Sequence, residues 1–265
     1  MYILAFETTG AHASVALIDR KGNVFEQSSE NVLNHLTSLI PITENLMKKN
    51  GINLNDISCV AASAGPGSFT GIRIGVSSAR AIAQAAKIPC ISVPTLKSFL
   101  YNIKGFTGIV CPILDARRCQ VYGGAFTLEE STREIKERVE SGAYDLTEYL
   151  QLLSIEINKL KSSSDLNQAA RIMFFGDGIE IYKEEIESWH NKSLNEDIRI
   201  EFADKSNRFQ KASSVAKLAL KLYNEGKQVS YDNLMPIYMR KAEAERKLEQ
   251  GRLFIKSTAQ ANNES

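Results

Sequence analysis

Ala64-Gly65-Pro66-Gly67-Ser68-Phe69-Thr70-Gly71-Ile72-Arg73-Ile74-Gly75 is the stretch around which this chain is organised. It follows a short apolar run, Cys59-Val60-Ala61-Ala62, that reads as a buried strand. It leads into a segment from about Thr70 to Lys87 with helical periodicity and no proline. Strand, glycine-rich turn, helix is the order that brings backbone amides up to an anion. The spacing misses both standard phosphate fingerprints. Gly71 is followed by Ile72 rather than by Lys-Ser/Thr, and Thr70 stands where a dinucleotide loop needs glycine. A tight turn explains the loop better than phosphate binding does.

The helix divides into three stripes. Arg73, Ser77, Arg80, Gln84 and Lys87 make a polar one, and Ile72, Val76, Ala79, Ala83 and Ala86 an apolar one that should face a core. The third, Gly71, Gly75, Ser78, Ile82 and Ala85, is mostly small. A glycine inside a helix costs about 1 kcal/mol relative to alanine, so two of them ask for a close backbone approach in return. Two readings stand: the stripe packs on the chain's own sheet, or it meets a helix of a partner subunit.

Composition narrows the classes. With 265 residues the chain is long enough for two domains, and 43% hydrophobic with 24% charged residues is a globular composition. A net charge of +1 leaves no broad basic surface for nucleic acid, so any role with RNA would need a partner. No apolar run is long enough to span a bilayer. The opening Met1-Tyr2-Ile3-Leu4-Ala5-Phe6-Glu7 lacks a basic leader and does not read as a signal peptide. Cys59, Cys90, Cys111 and Cys119 have no metal-type spacing, so reduced thiols in a cytoplasmic protein are expected and no metal site is.

Along the chain, residues 2–7 and Ser14–Ile18 read as a hairpin across Thr8-Thr9-Gly10, with Val24–Glu30 as a third strand after the turn Asp19–Asn23. Asn34–Asn50 is helical by pattern, with Leu36, Leu39, Ile40, Thr43, Leu46 and Met47 inward and Pro41 expected to kink it. A strand at Cys90–Val93 and a helix from Thr95 to about Tyr101 follow the glycine loop and its helix. Lys104-Gly105-Phe106-Thr107-Gly108 looks like a joint, after which the order begins again. Ile109–Leu114 ends on Asp115, turns at Ala116-Arg117-Arg118 and returns as Gln120–Phe126, and Thr132–Val139 reads as the third strand. Arg171–Phe175 with Gly176-Asp177-Gly178 repeats the strand and loop of the first half, and helices are expected at 146–160, 179–189 and 212–225. The serine-rich stretch Lys161–Asn167 reads as a surface loop, Asn233–Arg240 as a strand, the charged stretch to Gly251 as a solvated helix or frayed end, and Thr258–Ser265 as disordered. The duplication predicts an α/β chain of two related domains, 1–104 and 105–265, with helix 212–225 free to pack back on the first.

Several constellations invite chemistry and fall short of it. A carboxylate at the end of a first strand, as with Glu7 and Asp115, is where two-domain kinases organise magnesium and phosphate. Arg117 and Arg118, however, stand where the second hairpin should carry glycine. The alternative is that Asp115 hydrogen-bonds its turn or pairs with Arg117. His12, His35 and His190 are isolated and read as structural or interface residues. Ser68 and Thr70 fail the nucleophile-elbow pattern because Gly67 directly precedes Ser68, and helix capping explains them more simply. The residues taken alone give the outline of a nucleotide-binding fold with a degraded site.

The stretch Ser63–Gly75 closely resembles the signature of the bacterial TsaB (YeaZ) family. Leu4-Ala5-Phe6-Glu7-Thr8-Thr9, Asn34-His35-Leu36, Asp115-Ala116-Arg117-Arg118 with Val121-Tyr122, and Pro236-Ile237-Tyr238-Met239-Arg240 match it in order across nearly the whole chain. Glu7 stands where many members have aspartate. The resemblance implies an ASKHA (actin-like, ribonuclease H-like) fold with two related domains, each a mixed sheet flanked by helices. It implies a non-catalytic role in forming N6-threonylcarbamoyladenosine at position 37 of tRNAs reading ANN codons. Pairing with the catalytic paralogue TsaD, joined by the ATPase TsaE, is implied too, with tRNA engaged only through the complex. It implies no cofactor of the chain's own, with ATP and a metal ion on the partners. It also implies a partner interface on the first helix and the helix after the glycine loop: His35, Ser38, Leu39, Ile42, Asn45, Gly71, Arg73, Ile74, Gly75, Ser78 and Ile82. The same surface would support a homodimer in isolation. Glu7, Thr8 and Asp115 would be vestigial nucleotide contacts. The competing reading is an autonomous actin-like small-molecule kinase or ATP hydrolase.

Overall fold

The computed structural model describes residues 1–29, 35–129, 132, 134–162, 170–194 and 197–239. Tyr2–Glu7 (β1), Ser14–Asp19 (β2) and Val24–Ser28 (β3) run antiparallel, and Ile57–Gly65 (β4) and Cys90–Pro94 (β5) join in parallel, giving the order β3-β2-β1-β4-β5. The second sheet repeats this plan. Ile109–Asp115 (β6), Gln120–Leu128 (β7) and Ile135–Asp145 (β8) are antiparallel, Arg171–Phe175 (β9) and Arg199–Phe202 (β10) are parallel, and the order is β8-β7-β6-β9-β10.

Strand alternation explains how each sheet is covered. On β1, Leu4 and Phe6 point to one face and meet Ile72, Val76 and Ala79 of Phe69–Ala86 (α2) and Leu39 and Leu46 of His35–Lys49 (α1). Ile3 and Ala5 point to the other face and meet Val215, Ala216 and Ala219 of a helix at Ala212–Asn224 (α6). That helix, encoded after the second sheet, lies on β1, β2 and β5 of the first. The second sheet takes Leu146–Lys161 (α4) and Gly178–Ser193 (α5) on one face, through Tyr149, Leu153, Ile157, Ile179 and Ile186. Its other face, through Val110, Leu114, Phe126, Met173 and Phe175, closes on Leu96 of Thr95–Ser98 (α3) and on Phe99 and Leu100 of the 3-10 turn after it. The segment joining the halves is thus itself part of the core.

Two expectations change, and one strand, β10, was not read from the sequence. The third strand of the second half is Ile135–Asp145, later and longer than Thr132–Val139, because it pairs along all of β7. β10 has four residues and a weak apolar pattern, Arg-Ile-Glu-Phe, and exists through its parallel pairing with β9. Residues 234–239 form no strand; after a 3-10 turn at Tyr231–Asn233 they run extended across the end of β4, held by one backbone bond, Ile237 N to Ala64 O, at 2.7 Å. Pro41 lies inside α1, exposed. The expectations for 240–265, for Asn34 and for most of the serine-rich loop fall outside the described residues.

Candidate functional site: the beta1 turn, the glycine loop and the helix that follows

β1 delivers Glu7 and Thr8 to the point where the glycine loop turns into α2. Glu7 is fully buried, and its Oε1 accepts from Thr9 N at 2.5 Å and Thr9 Oγ1 at 2.6 Å, while Oε2 has no partner. Burial pushes this carboxyl up from its ordinary 4.5, against the pull of the Thr9 bonds. Beside it Ser63 Oγ and Thr95 Oγ1 share a 2.8 Å bond, and Thr95 Oγ1 accepts from Gly65 N at 3.1 Å.

The loop closes on the β1–β2 turn. Ser68 N donates to Thr9 O at 2.9 Å, and Ser68 caps α2 by accepting from Gly71 N at 3.2 Å, the capping role read from the sequence. Thr8 Oγ1 donates to Gly71 O at 2.7 Å. A Cβ on Gly71 would stand 1.9 Å from Thr8 O, and one on Gly75 would stand 2.4 Å from Thr8 Oγ1. Both glycines are buried. The small stripe is therefore small because the chain's own β1 turn lies on it, and the reading of Gly71 and Gly75 as surface offered to a partner helix is corrected.

The same holds for two positions on α1. Leu39 is 1% exposed and Ile42 8%, both in the core under the first sheet, because Leu39, Ile42, Thr43 and Leu46 form one inward stripe. They are not surface residues. Ser38, Ile74, Ser78 and Ile82 are half-buried; Arg73 and Asn45 are exposed, Asn45 Nδ2 donating to Gln27 Oε1 at 3.1 Å. The His35 side chain lies outside the described residues.

Sequence reasoning placed the tail motif but missed what it does. The Ile237 carbonyl sits 2.4 Å from where a Cβ on Gly65 would be, so Gly65, at φ +120°, leaves the room that the crossing segment fills. Tyr238 then stacks on Phe69 with centroids 4.8 Å apart. The Arg73 guanidinium lies 3.9 Å from the Phe69 ring centre and its Nε donates to Tyr238 Oη at 2.8 Å. Met235, Ile237 and Tyr238 remain 57%, 40% and 42% exposed, a run of large side chains along the outer edge of α2.

In the second half Asp115 sits apart from Glu7 and Thr8, with no hydrogen bond to either. Its Oδ1 accepts from Arg117 N at 2.8 Å, its Oδ2 lies 3.6 Å from Arg117 Nε, and its own amide donates to Asp177 Oδ1 at 3.0 Å. Both alternatives read for Asp115, bonding the turn and pairing with Arg117, are realised. Burial, and to a smaller extent the charge of Asp115, raises the Asp177 carboxyl while the Asp115 amide holds it down. Arg117, Arg118 and Cys119 adopt φ of 63°, 57° and 59°, three successive left-handed residues with side chains where a phosphate cradle would have none.

Two ribonuclease H-like halves with the same strand order, each with a carboxylate ending its first strand, define an actin-like ASKHA protein. Comparison with known proteins agrees. The family model for TsaD, tRNA N6-adenosine threonylcarbamoyltransferase, matches residues 26–248. TsaB of Escherichia coli is 27% identical over 251 residues, 94% of this chain and 98% of that protein. TsaB of Bacillus subtilis is 33% identical over 134 residues, 51% of this chain and 58% of that protein. The structure of YeaZ from Pseudomonas aeruginosa superposes with a TM-score of 0.67 at 22% identity, covering 89% of this chain and 99% of that one. The chain belongs to the TsaD family and, within it, to the TsaB (YeaZ) proteins.

Proposed function

We propose that this chain acts in threonylcarbamoyladenosine biosynthesis on tRNA as a non-catalytic scaffold and activating subunit that pairs with a TsaD-type catalytic paralogue. The observation that carries this reading is that the glycine loop and the start of α2 are covered by the chain's own backbone. Thr8 lies on Gly71 and Gly75, and Ile237 lies on Ala64 and Gly65, so these glycines are filled from within the chain and present no free backbone to a phosphate. The left-handed Arg117-Arg118-Cys119 turn supports the same view from the second half. On this reading ATP and a metal ion are held by partner subunits, TsaE joins the pair, tRNA is reached through the complex, the setting is cytoplasmic, and a homodimer forms when the paralogue is absent. Among the described residues no helix is long and apolar enough to cross a membrane.

The contact surface is the outer edge of α2 with the crossing segment: Arg73, Ile74, Ser78 and Ile82 beside Met235 and Tyr238. The test is size-exclusion chromatography with light scattering on the chain alone and mixed with its TsaD-type paralogue. A heteromer peak that grows at the expense of a homodimer is expected, and R73A with Y238A should abolish it while the far-UV spectrum is unchanged. Two unchanged peaks at micromolar concentration would overturn the proposal. Turnover of Mg-ATP by the isolated chain, lost in E7Q or D115N, would establish the kinase reading instead; the unpartnered Glu7 Oε2 is the feature that favours it.

A further inference from the structure

A cavity of about 830 Å³ opens at the junction of the two halves, far from Glu7 and Asp115. Its first-half wall is the end of β2 and the turn after it, Ile18, Lys21 and Gly22, and β2 runs antiparallel to β1 with Ile18 opposite Ile3 and Ser14 opposite Glu7. Its second-half wall includes Val110, at the start of the strand that Asp115 ends. The cavity therefore lies at the opposite ends of both central strands from the site described above. The joint Lys104–Gly108 and the C-terminal half of α6 complete it.

Its chemistry is two-sided. Leu100, Ile103, Phe106, Leu128 and Leu220 give it an apolar lining. Lys21, Lys104, Lys217 and Lys221 reach it against one carboxylate, Glu225, and that carboxylate is taken by an ion pair with Lys221. Lys21, Lys104 and Lys217 make no ion pair among the described residues. The Lys217 ammonium has a single long hydrogen bond, 3.5 Å to Tyr101 O. It is held below its ordinary value by burial first and by Lys104 second; Glu26 pulls the other way but already accepts from Ser213 N at 2.9 Å. Lys104 and Lys217 repel each other across an apolar-lined cavity whose one carboxylate, Glu225, is already paired with Lys221, and an anion would relieve that repulsion. The volume is within the range of small-molecule pockets.

The geometry points to this junction cavity as a binding site for a small organic anion, a phosphate or carboxylate group bound by Lys104 and Lys217 with an apolar or aromatic body seated among Leu100, Phe106, Leu128 and Leu220. Because its walls come from both halves and from the joint between them, an occupant would bridge the two sheets.

Phenyl phosphate carries both features, inorganic phosphate only the charge, and phenol only the body. Each is titrated into the full chain while the amide signals of Gly22, Gly105 and Gly108, which line the cavity, are followed by NMR. Saturable shifts at those three glycines with phenyl phosphate are expected, with either fragment alone at least about tenfold weaker. K104Q/K217Q should weaken phenyl phosphate about tenfold or more, since each charge-assisted contact is removed. Lys104 is exposed; K104E, which reverses a surface charge, keeps the test open if the double variant does not fold, and should weaken binding about tenfold as well. Absence of saturable shifts up to about 10 mM, undiminished affinity in the folded lysine variants, or shifts centred on Gly71 and Gly75 would each overturn the assignment.

Discussion

Gly71→Ala sets two principles against each other, and the structure decides the sign. Local propensity predicts stabilisation, because alanine in a helix gains up to about 1 kcal/mol over glycine. The tertiary contact predicts the reverse. The new Cβ would stand 1.9 Å from the Thr8 carbonyl oxygen and 3.0 Å from its carbon. That is backbone at the end of a central strand, with no rotamer to move aside, so α2 must shift by more than 1 Å of contact distance. Overpacking of this kind costs about 1–3 kcal/mol and sometimes more. The buried bond from Thr8 Oγ1 to Gly71 O, 2.7 Å long, is stretched in the same movement and accounts for about 1 kcal/mol. The net is a destabilisation of about 1–3 kcal/mol, which for a chain of this size lowers Tm by about 3–10 °C. Urea denaturation followed by circular dichroism reads it as a lower midpoint at unchanged slope. Gly75→Ala provides the internal control, because its obstacle is the Thr8 hydroxyl at 2.4 Å, with Thr8 Cβ at 3.6 Å. In a Thr8→Ala background Gly75→Ala should become neutral or stabilising, while Gly71→Ala stays destabilising since the carbonyl remains. A Gly71→Ala midpoint equal to or above the wild type would refute the account of why these glycines are there.

The remaining predictions concern burial. Glu7 has its carboxyl raised above 4.5 by burial, so the folded state holds a proton that the unfolded chain releases. Stability should then fall as pH rises from about that value through the folded one, and Glu7→Gln should flatten the trend in urea midpoints measured between pH 5 and pH 8. The Cys59 and Cys111 thiols are pushed up to about 12 and Cys90 to about 11 by burial, whereas Cys119 is exposed. A disulfide reagent at pH 8 should titrate one thiol in the native chain and all four in urea; two or more fast thiols would contradict the packing. Tyr149 is fully buried and its Oη donates to Gly124 O at 2.8 Å, so Tyr149→Phe should cost about 1 kcal/mol in the same urea assay.

Much of the architecture is legible in the sequence. Ile3–Phe6 and Ser14–Ile18 alternate around a turn, Ser68 precedes a helical period, and Ile109–Asp115 restarts the same order, so element type and duplication follow from signals within about twenty residues. Glu7, Thr8 and the glycine loop are each singled out in the sequence, but that Thr8 lies on Gly71 comes only from the fold. The partner for the small stripe is not legible there. Gly71 and Thr8 are 63 positions apart, and nothing in the helical pattern says whether the backbone pressed on a glycine belongs to the same chain or to another. The periodicity places Leu39 inward, as the structure does, whereas the resemblance puts Leu39 and Ile42 at a partner interface, and the stripe with Leu46 turns both into the core.

The sequence by itself therefore determined the elements, their repeated order and the capped turn at Ser68, because hydrophobic period and turn chemistry are properties of adjacent residues. Only the tertiary structure decided that α6 returns to the first sheet, that β10 exists, and that Leu234–Met239 crosses Gly65 to stack Tyr238 on Phe69. Those depend on which distant surfaces bury each other, and the energy of such a contact is written in neither partner alone.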